Sequence, residues 1–376
     1  MFYILQYSYN PNTASCNRLL GFYNTLENMG IDTTLVFFAP NINKSRITHQ
    51  FQHIRIQSRY NNILPYKKFI KSFLVKRSIK DFVKELRPGD TVYTYTVNKI
   101  TQECLNVSGV KVYAEITEHP DVCANAEDPS IELDKESYNS CIRKLTGLFV
   151  ISHPLKDYFV KIGLCESKTK IINMTVDYSR FAHVNKQAIK EKYIAYCGTA
   201  SNTKDGVDEL IRAFSIVSKQ YSDLYLYIIG STPKKRERFN NYELVKSLGI
   251  EDRVKFTGII PSEEMPQMLK NAEVLALDRP NNLQAHYGFP TKLGEYLLTK
   301  NPVVVTSVGD IPDFLTDRVS ALIAEPSNTS DFAEKLIWVL NNKEDAKKIG
   351  EEGCKIAMLH FNSETESKKM IRFMGL

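Results

Sequence analysis

Two doubly wound α/β domains, each an open parallel sheet flanked by helices, are the fold class this sequence predicts, and three observations predict it. The 376 residues exceed one typical domain and suffice for two cores. Short apolar runs alternate with helix-period patterns along the whole length, as in successive βαβ units. Small-residue loops follow several of those runs and lead into helix starts, the pattern at the carboxyl edge of a parallel sheet.

Composition narrows the class. Hydrophobic residues at 43% and charged residues at 24% are ordinary for a soluble globular chain. The net charge of +6 fits an anionic partner without naming one; nothing in the pattern points to nucleic acid. No run of about 18 apolar residues suggests a membrane span. Residues 1–8 lack the basic leader and small-residue cleavage site of a signal peptide. The seven cysteines are scattered and odd in number, with no C-x-x-C pair, so reduced thiols in a cytoplasmic protein are expected. No metal cluster is read from the pattern.

In order, residues 2–7 form a strand, and Leu19, Leu20, Tyr23, Leu26 and Met29 mark one face of a helix that Gly30 ends. Strands are expected at 33–38, 92–95, 110–116, 148–151 and 170–173. Residues 66–86 read as a basic amphipathic helix, with Lys67, Lys68, Lys71, Lys76, Arg77 and Lys80 among Phe69, Ile70, Phe73, Leu74, Ile79 and Phe82. Two readings stay open: a core-packing helix with a solvated basic face, or an interfacial helix touching anionic lipid head groups. Residues 177–192 read as the connection between domains. The predicted domains are 1–184, joined by the C-terminal helix 359–376, and 185–358.

The second domain repeats the alternation, with strands at 194–197, 224–229, 254–257, 274–277, 303–306 and 321–323. Helices are expected at 207–219, 263–271, 329–340 and 343–358, and a last one at 363–374. After strand 274–277 comes a loop without helix formers, 278–286. Pro290 then sits where the first turn of a helix tolerates it. Leu293, Tyr296 and Leu297 follow at helical spacing, and Asn301-Pro302 stops the helix. A helix N-terminus at a strand's carboxyl end offers free N–H groups and a positive dipole to a phosphate. Glu295, about one and a half turns inside, would accept hydrogen bonds from a ribose diol.

Other loops after strands supply further candidates. Gly198-Thr199-Ala200-Ser201-Asn202-Thr203-Lys204-Asp205-Gly206 follows strand 194–197 and opens a helix. Its small residues admit an anion to backbone N–H groups, and Lys204 adds a point charge. The glycine spacing is neither that of a Walker loop nor that of a dinucleotide fingerprint. Gly230 follows strand 224–229 and would border a nucleobase, and Arg279 follows strand 274–277 as a second cation toward the same anion. In the first half, Glu118 and His119 follow strand 110–116. His119 would donate to a substrate hydroxyl, and Glu118 would pair with it or meet an acceptor. The plain alternative is a polar loop capped by Pro120. For Lys204, taken alone, it is a solvated loop lysine. Together the second-half residues fit a nucleoside diphosphate.

The blocks Gly198…Lys204-Asp205-Gly206, Leu226-Tyr227-Ile228-Ile229-Gly230, Val254-Lys255-Phe256-Thr257-Gly258, Gly288-Phe289-Pro290-Thr291-Lys292-Leu293-Gly294-Glu295-Tyr296 and Pro302-Val303-Val304 resemble the C-terminal half of glycosyltransferase family 4. In the first half the resemblance rests on the first loop, on Glu118-His119-Pro120 and on Phe149-Val150-Ile151-Ser152. It implies a GT-B architecture, two Rossmann-like domains facing across a cleft, and a retaining, metal-independent enzyme with no cofactor beyond a UDP- or GDP-sugar donor. It implies that Glu295 binds the ribose and Lys204 the diphosphate. Gly198, Thr199, Gly230, Arg279, Tyr287, Gly288, Phe289, Pro290, Thr291 and Lys292 would line the donor. His119 and Glu118 would be the catalytic candidates, with His119 near the donor sugar on the acceptor side. The acceptor would be a glycan or lipid-linked saccharide in surface polysaccharide synthesis, reached from the cytoplasm or from a peripheral position at the inner face of the membrane.

Two departures stand out. The family often has Glu where this chain has Tyr287, and Arg where it has Thr199. Arg279 or Lys292 is expected to supply the missing charge. Two alternatives follow from the same residues: a nucleotide-sugar-binding module without turnover, and a nucleotide-sugar epimerase of the same architecture. The epimerase would need an acid–base pair beyond Glu118 and His119.

Overall fold

The computed structural model describes residues 1–9, 14–39, 51, 53–57, 68–122, 131–232 and 235–376. The chain forms two compact units, Met1–Asn173 with Ser363–Leu376, and Met174–Asn362. Each holds one parallel sheet.

The first sheet has seven strands: β1 (Phe2–Gln6), β2 (Thr33–Phe37), β3 (Ile54–Ile56), β4 (Thr91–Tyr95), β5 (Lys111–Ile116), β6 (Gly147–Val150) and β7 (Thr169–Ile171). Their order is β3-β2-β1-β4-β5-β6-β7. Every pair is parallel. The sequence does not announce β3, a half-exposed three-residue Ile-Arg-Ile edge strand too short to carry a period. The core of this unit gathers Phe2, Ile4, Phe22, Tyr23, Phe37 and Phe149 with Met370, Ile371 and Met374 of the last helix, Ser363–Met374. That helix buries its apolar side here, which explains why the chain's end belongs with its beginning.

The helix Lys68–Val83 covers part of the expected basic segment; residues 66 and 67, and the side chains of Lys68 and Phe69, lie outside the described set. Val75, Ile79 and Phe82 are buried. Ile70 and Phe73 are not, at 47% and 64% exposed, and Lys76, Arg77 and Lys80 are exposed with them. Among the described residues no helix is long and apolar enough to cross a membrane.

The second sheet has six strands: β8 (Lys192–Cys197), β9 (Leu224–Ile229), β10 (Val254–Gly258), β11 (Val274–Leu277), β12 (Val303–Thr306) and β13 (Leu322–Ala324). The order is β10-β9-β8-β11-β12-β13, again parallel throughout. The strands β11 and β12, Val-Leu-Ala-Leu and Val-Val-Val-Thr, are buried at every position, as a sheet covered on both faces requires. The order reverses between β8 and β11. In open parallel sheets, ligands bind at the carboxyl ends of two strands that flank such a switch point.

Residues 174–184 and 359–362, placed by the sequence reading in the first domain, group with the second unit. Gly294 shows one cause: a Cβ there would stand 2.3 Å from Met174 and 2.6 Å from Val176, so the first of these segments packs against the helix Thr291–Leu298. The loop expected over 278–286 is also corrected. Residues Leu283–Tyr287 form a short helix because the Asn282 side chain accepts the Ala285 N–H at 2.9 Å and caps it.

Candidate functional site

The two loops leaving the second switch point carry most of the predicted donor residues. The first leaves β8. Gly198 has φ +141° and Gly230, at the end of β9, has φ +125°. A Cβ on Gly230 would lie 2.1 Å from the Gly198 carbonyl, so the two backbones meet at a distance only glycine permits. Thr199 is exposed. Ser201 caps the short helix Asn202–Asp205, which carries half-buried Lys204.

The second loop leaves β11. Tyr287 ends the helix Leu283–Tyr287, and Gly288 donates its N–H to Gln284 O at 3.0 Å. Phe289 is buried between Phe314 and Phe361, with ring centroids 5.5 and 5.4 Å away. That anchor fixes the start of the next helix. Pro290 is its N-cap rather than its first helical residue, and Thr291 and Lys292 open the first turn.

Beneath these loops lies a buried charge cluster centred on Asp205, a residue to which the sequence reading assigned no role. Lys292 Nζ pairs with Asp205 Oδ2. Arg279 Nε stands 3.9 Å from Asp205 Oδ1. The Tyr196 hydroxyl lies 2.8 Å from Asp205 Oδ2 and 2.7 Å from the Thr199 carbonyl, and Lys292 Nζ donates to it at 2.9 Å. Burial works against the Asp205 charge, yet Lys292 and Arg279 hold the carboxyl below the usual range. Burial also lowers Lys292, and Asp205 opposes this. Both cations named in the sequence therefore share one carboxylate. Arg279 is only 2% exposed and works from inside. Lys292 is better placed for a ligand, because a Cβ on Gly198 would sit 2.6 Å from its ammonium. Its charge thus lies directly under the loop where Thr199 brings none.

Asp278, first residue after β11, is buried beside Glu209 and Asp208. Burial above all, then those two acids, pushes its carboxyl up to about 8. At neutral pH it adds little negative charge to an edge that would otherwise repel an anion.

Glu295 lies on the helix Thr291–Leu298 with 25% of its side chain exposed. Its Oε1 accepts from Arg180 Nη1 at 2.5 Å. Burial raises its pKa and Arg180 counteracts the rise. Arg180 belongs to the 3-10 turn Tyr178–Arg180, which Asp177 caps. The sequence contains no local sign of this pair, whose partners are 115 positions apart.

In the first unit, Glu118 and His119 follow β5. His119 is buried; its Nδ1 accepts the Asp121 N–H at 3.2 Å, and the Tyr158 ring meets it edge-on at 4.3 Å. An accepting Nδ1 leaves the proton on Nε2. Burial lowers the His119 pKa, so the neutral ring is favoured. Glu118 is half-buried.

Comparisons with known proteins bear on both units. Residues 179–356 match the family described as glycosyl transferases group 1. The N-acetyl-alpha-D-glucosaminyl L-malate synthase of Bacillus anthracis is 27% identical over 158 residues, covering 42% of this chain and 39% of that protein. The mannosylfructose-phosphate synthase of Agrobacterium fabrum is 27% identical over 191 residues, 47% of this chain and 40% of the relative. The chain thus spans about two fifths of the length of these curated relatives. Among solved structures, Anabaena HepE in complex with UDP superposes with a TM-score of 0.77 at 15% identity, covering 100% of this chain and 99% of that one. Sucrose-phosphate synthase from Thermosynechococcus elongatus gives 0.73 at 16%, covering 99% and 98%. Both likenesses span the two units and carry the GT-B fold.

Proposed function

Given that residues 179–356 belong to the glycosyl transferases group 1 family, we propose that the chain transfers a sugar, with retention, from a nucleotide diphosphate donor to a glycan or lipid-linked saccharide acceptor in surface polysaccharide synthesis. One observation carries the reading: Glu295 stands partly exposed on a helix that starts at the β8/β11 switch point. A carboxylate there suits a ribose diol, and the helix start suits a diphosphate. The complexes of HepE with UDP and with UDP-glucose favour a UDP-sugar over a GDP-sugar.

On this reading Lys204, Lys292 and the N–H groups of Thr291 and Lys292 bind the diphosphate. They stabilise the negative charge that grows as it leaves. Gly198, Thr199 and Gly230 give the ligand backbone to lie against, while Tyr287, Gly288, Phe289 and Pro290 shape its far side. Arg279 acts through Asp205. The acceptor hydroxyl attacks from the face the diphosphate leaves and passes its proton to that leaving group, without a metal. His119, donating from Nε2, and Glu118 serve the sugar and the acceptor.

Thermal-shift screening of nucleotide sugars tests the reading, because a ligand that binds only the folded chain raises the melting point. A UDP-sugar is expected to raise it for the wild type, and Glu295→Gln is expected to bind that sugar about tenfold more weakly. No shift with any nucleotide sugar, or unchanged affinity in the variant, would end the proposal. Thr199 and Tyr287 favour a second reading, binding without turnover, which release of free sugar from the donor would exclude.

Exposed Ile70 and Phe73 beside Lys76, Arg77 and Lys80 support a cytoplasmic protein held peripherally on anionic lipid. Sedimentation with phosphatidylglycerol vesicles at low salt should be lost in Phe73→Ser. Equal sedimentation with neutral vesicles would remove the electrostatic part.

A further inference from the structure

We propose that Arg180 is the positioning residue for the donor's ribose: it holds the Glu295 side chain aimed so that its carboxyl group receives a vicinal diol. The proposal rests on the reading of Glu295 as the ribose ligand and adds a residue that reading does not contain.

The geometry is that of a fixed support. Arg180 Nη1 donates to Glu295 Oε1 at 2.5 Å, and Nη2 donates to the Ser262 carbonyl at 3.0 Å. The guanidinium is therefore pinned between the helix Thr291–Leu298 and the segment after β10. The turn that carries it is pinned as well, since Asp177 Oδ1 accepts the Ser179 N–H at 2.9 Å. A carboxylate offers about four lone-pair positions over two oxygens. One N–H on Oε1 leaves Oε2 and the rest of Oε1 for the two hydroxyls of a ribose. The pair is about a quarter exposed on each side, 27% for Arg180 and 25% for Glu295, so a ligand can reach it.

The charges around Glu295 show why a support is needed. Asp177 on the same turn as Arg180 opposes its ionisation, as burial does. Cys197 at the end of β8 and Tyr296 on the same helix sense its charge but bring no cation to it. Arg180 is the group that counteracts burial. A protonated Glu295 would present one donor and a poorer acceptor to the diol. The ion pair thus counteracts the rise that burial and Asp177 bring, and the second anchor at Ser262 keeps the direction of the pair.

The test measures affinity by calorimetry for UDP, GDP and their 2′,3′-dideoxy counterparts, in the full-length wild type, Arg180→Ala and Arg180→Lys. Melting points of the free proteins confirm folding. The wild type should prefer the ribonucleotide about tenfold, the worth of hydrogen bonds to a charged group. Arg180→Ala should bind the ribonucleotide about tenfold more weakly, bind the dideoxy compound as before, and so lose the preference. Arg180→Lys should recover part of it, and it answers the question if the alanine variant does not fold. As pH falls, ribonucleotide affinity should fail at a higher pH in Arg180→Ala than in the wild type. Equal weakening of both compounds, tighter ribonucleotide binding, or an intact preference in Arg180→Ala would overturn the role of Arg180 while leaving donor binding standing. If the wild type binds neither UDP nor GDP, the underlying donor reading falls and takes this one with it.

Discussion

The two sheets share a strand order up to one extra edge strand, yet their switch points are built for opposite ends. Beside the first, which lies between β1 and β4, the next strand β5 sends Glu115 inward, where Arg18 Nε meets it at 2.5 Å and the Tyr93 hydroxyl bonds its other oxygen. Arg18 also donates to the carbonyls of Asn173 and Ile172, at 2.6 and 3.1 Å. Both charges are almost wholly consumed: Glu115 is 0% exposed. In the second, Asp205 anchors Lys292 and Arg279, but Lys292 remains against the Gly198 loop and Glu295 remains partly exposed above. One edge spends its ions on cohesion, since Arg18 ties the first helix to the chain leaving β7. The other arranges a surplus of positive charge, two cations on one carboxylate, beneath a loop of small residues. The same topology therefore does not imply the same arrangement of charge, and under the proposed function it is the charge left over at the second edge that meets the ligand.

Arg18→Ala breaks the first cluster and should give the largest effect. It leaves Glu115 buried without its cation, at a cost of about 3–5 kcal/mol. Denaturant midpoints would show this, and UDP affinity of the folded fraction should not change. A loss under about 1 kcal/mol would mean that the pair is no support, and the contrast drawn above would fail. Lys292→Ala comes next. Removing one charged hydrogen bond to a diphosphate should weaken UDP binding by about 1.5–3 kcal/mol, about 10- to 150-fold. Unchanged affinity in both Lys292→Ala and Arg279→Ala would take these cations out of the diphosphate's reach and make the second edge structural like the first.

What the sequence disclosed and what it hid divide along the distance over which the signal acts. The strands β11 and β12 were legible because every residue but the closing Thr306 is apolar, and all are buried. The helix Thr291–Leu298 was legible from Pro290 and from Leu293, Tyr296 and Leu297 at helical spacing. Glu295 followed from its place in that helix. The helix Leu283–Tyr287 was hidden because five residues show no period and an asparagine cap alone defines it. Asp205 was hidden because its partner Lys292 is 87 positions away, and Arg180 because Glu295 is 115 away. Only the fold brings such charges together, and composition treats each as a surface residue. Asp278 carried no signal beyond its position after a strand, since its character comes from burial.

Asp278 offers the finest probe of the second edge. An aspartate in the unfolded chain loses its proton near pH 4, whereas burial and the neighbouring Glu209 and Asp208 push the folded group up to about 8. Between those values the folded protein binds a proton that the unfolded chain has released. Stability is therefore highest below the unfolded value and falls as pH rises through the window, by about 1.4 kcal/mol per pH unit at most. Asp278→Asn removes the titration, so its stability relative to wild type should climb from pH 5 to pH 8 in denaturant midpoints. The same proton bears on the ligand. Above about pH 8 an ionised Asp278 would repel a diphosphate, so wild-type UDP affinity should decline there while that of Asp278→Asn holds. Parallel stability curves for the two proteins would show that Asp278 is already ionised in the folded state, and a second switch point carrying that extra negative charge would lose the surplus of positive charge that separates it from the first.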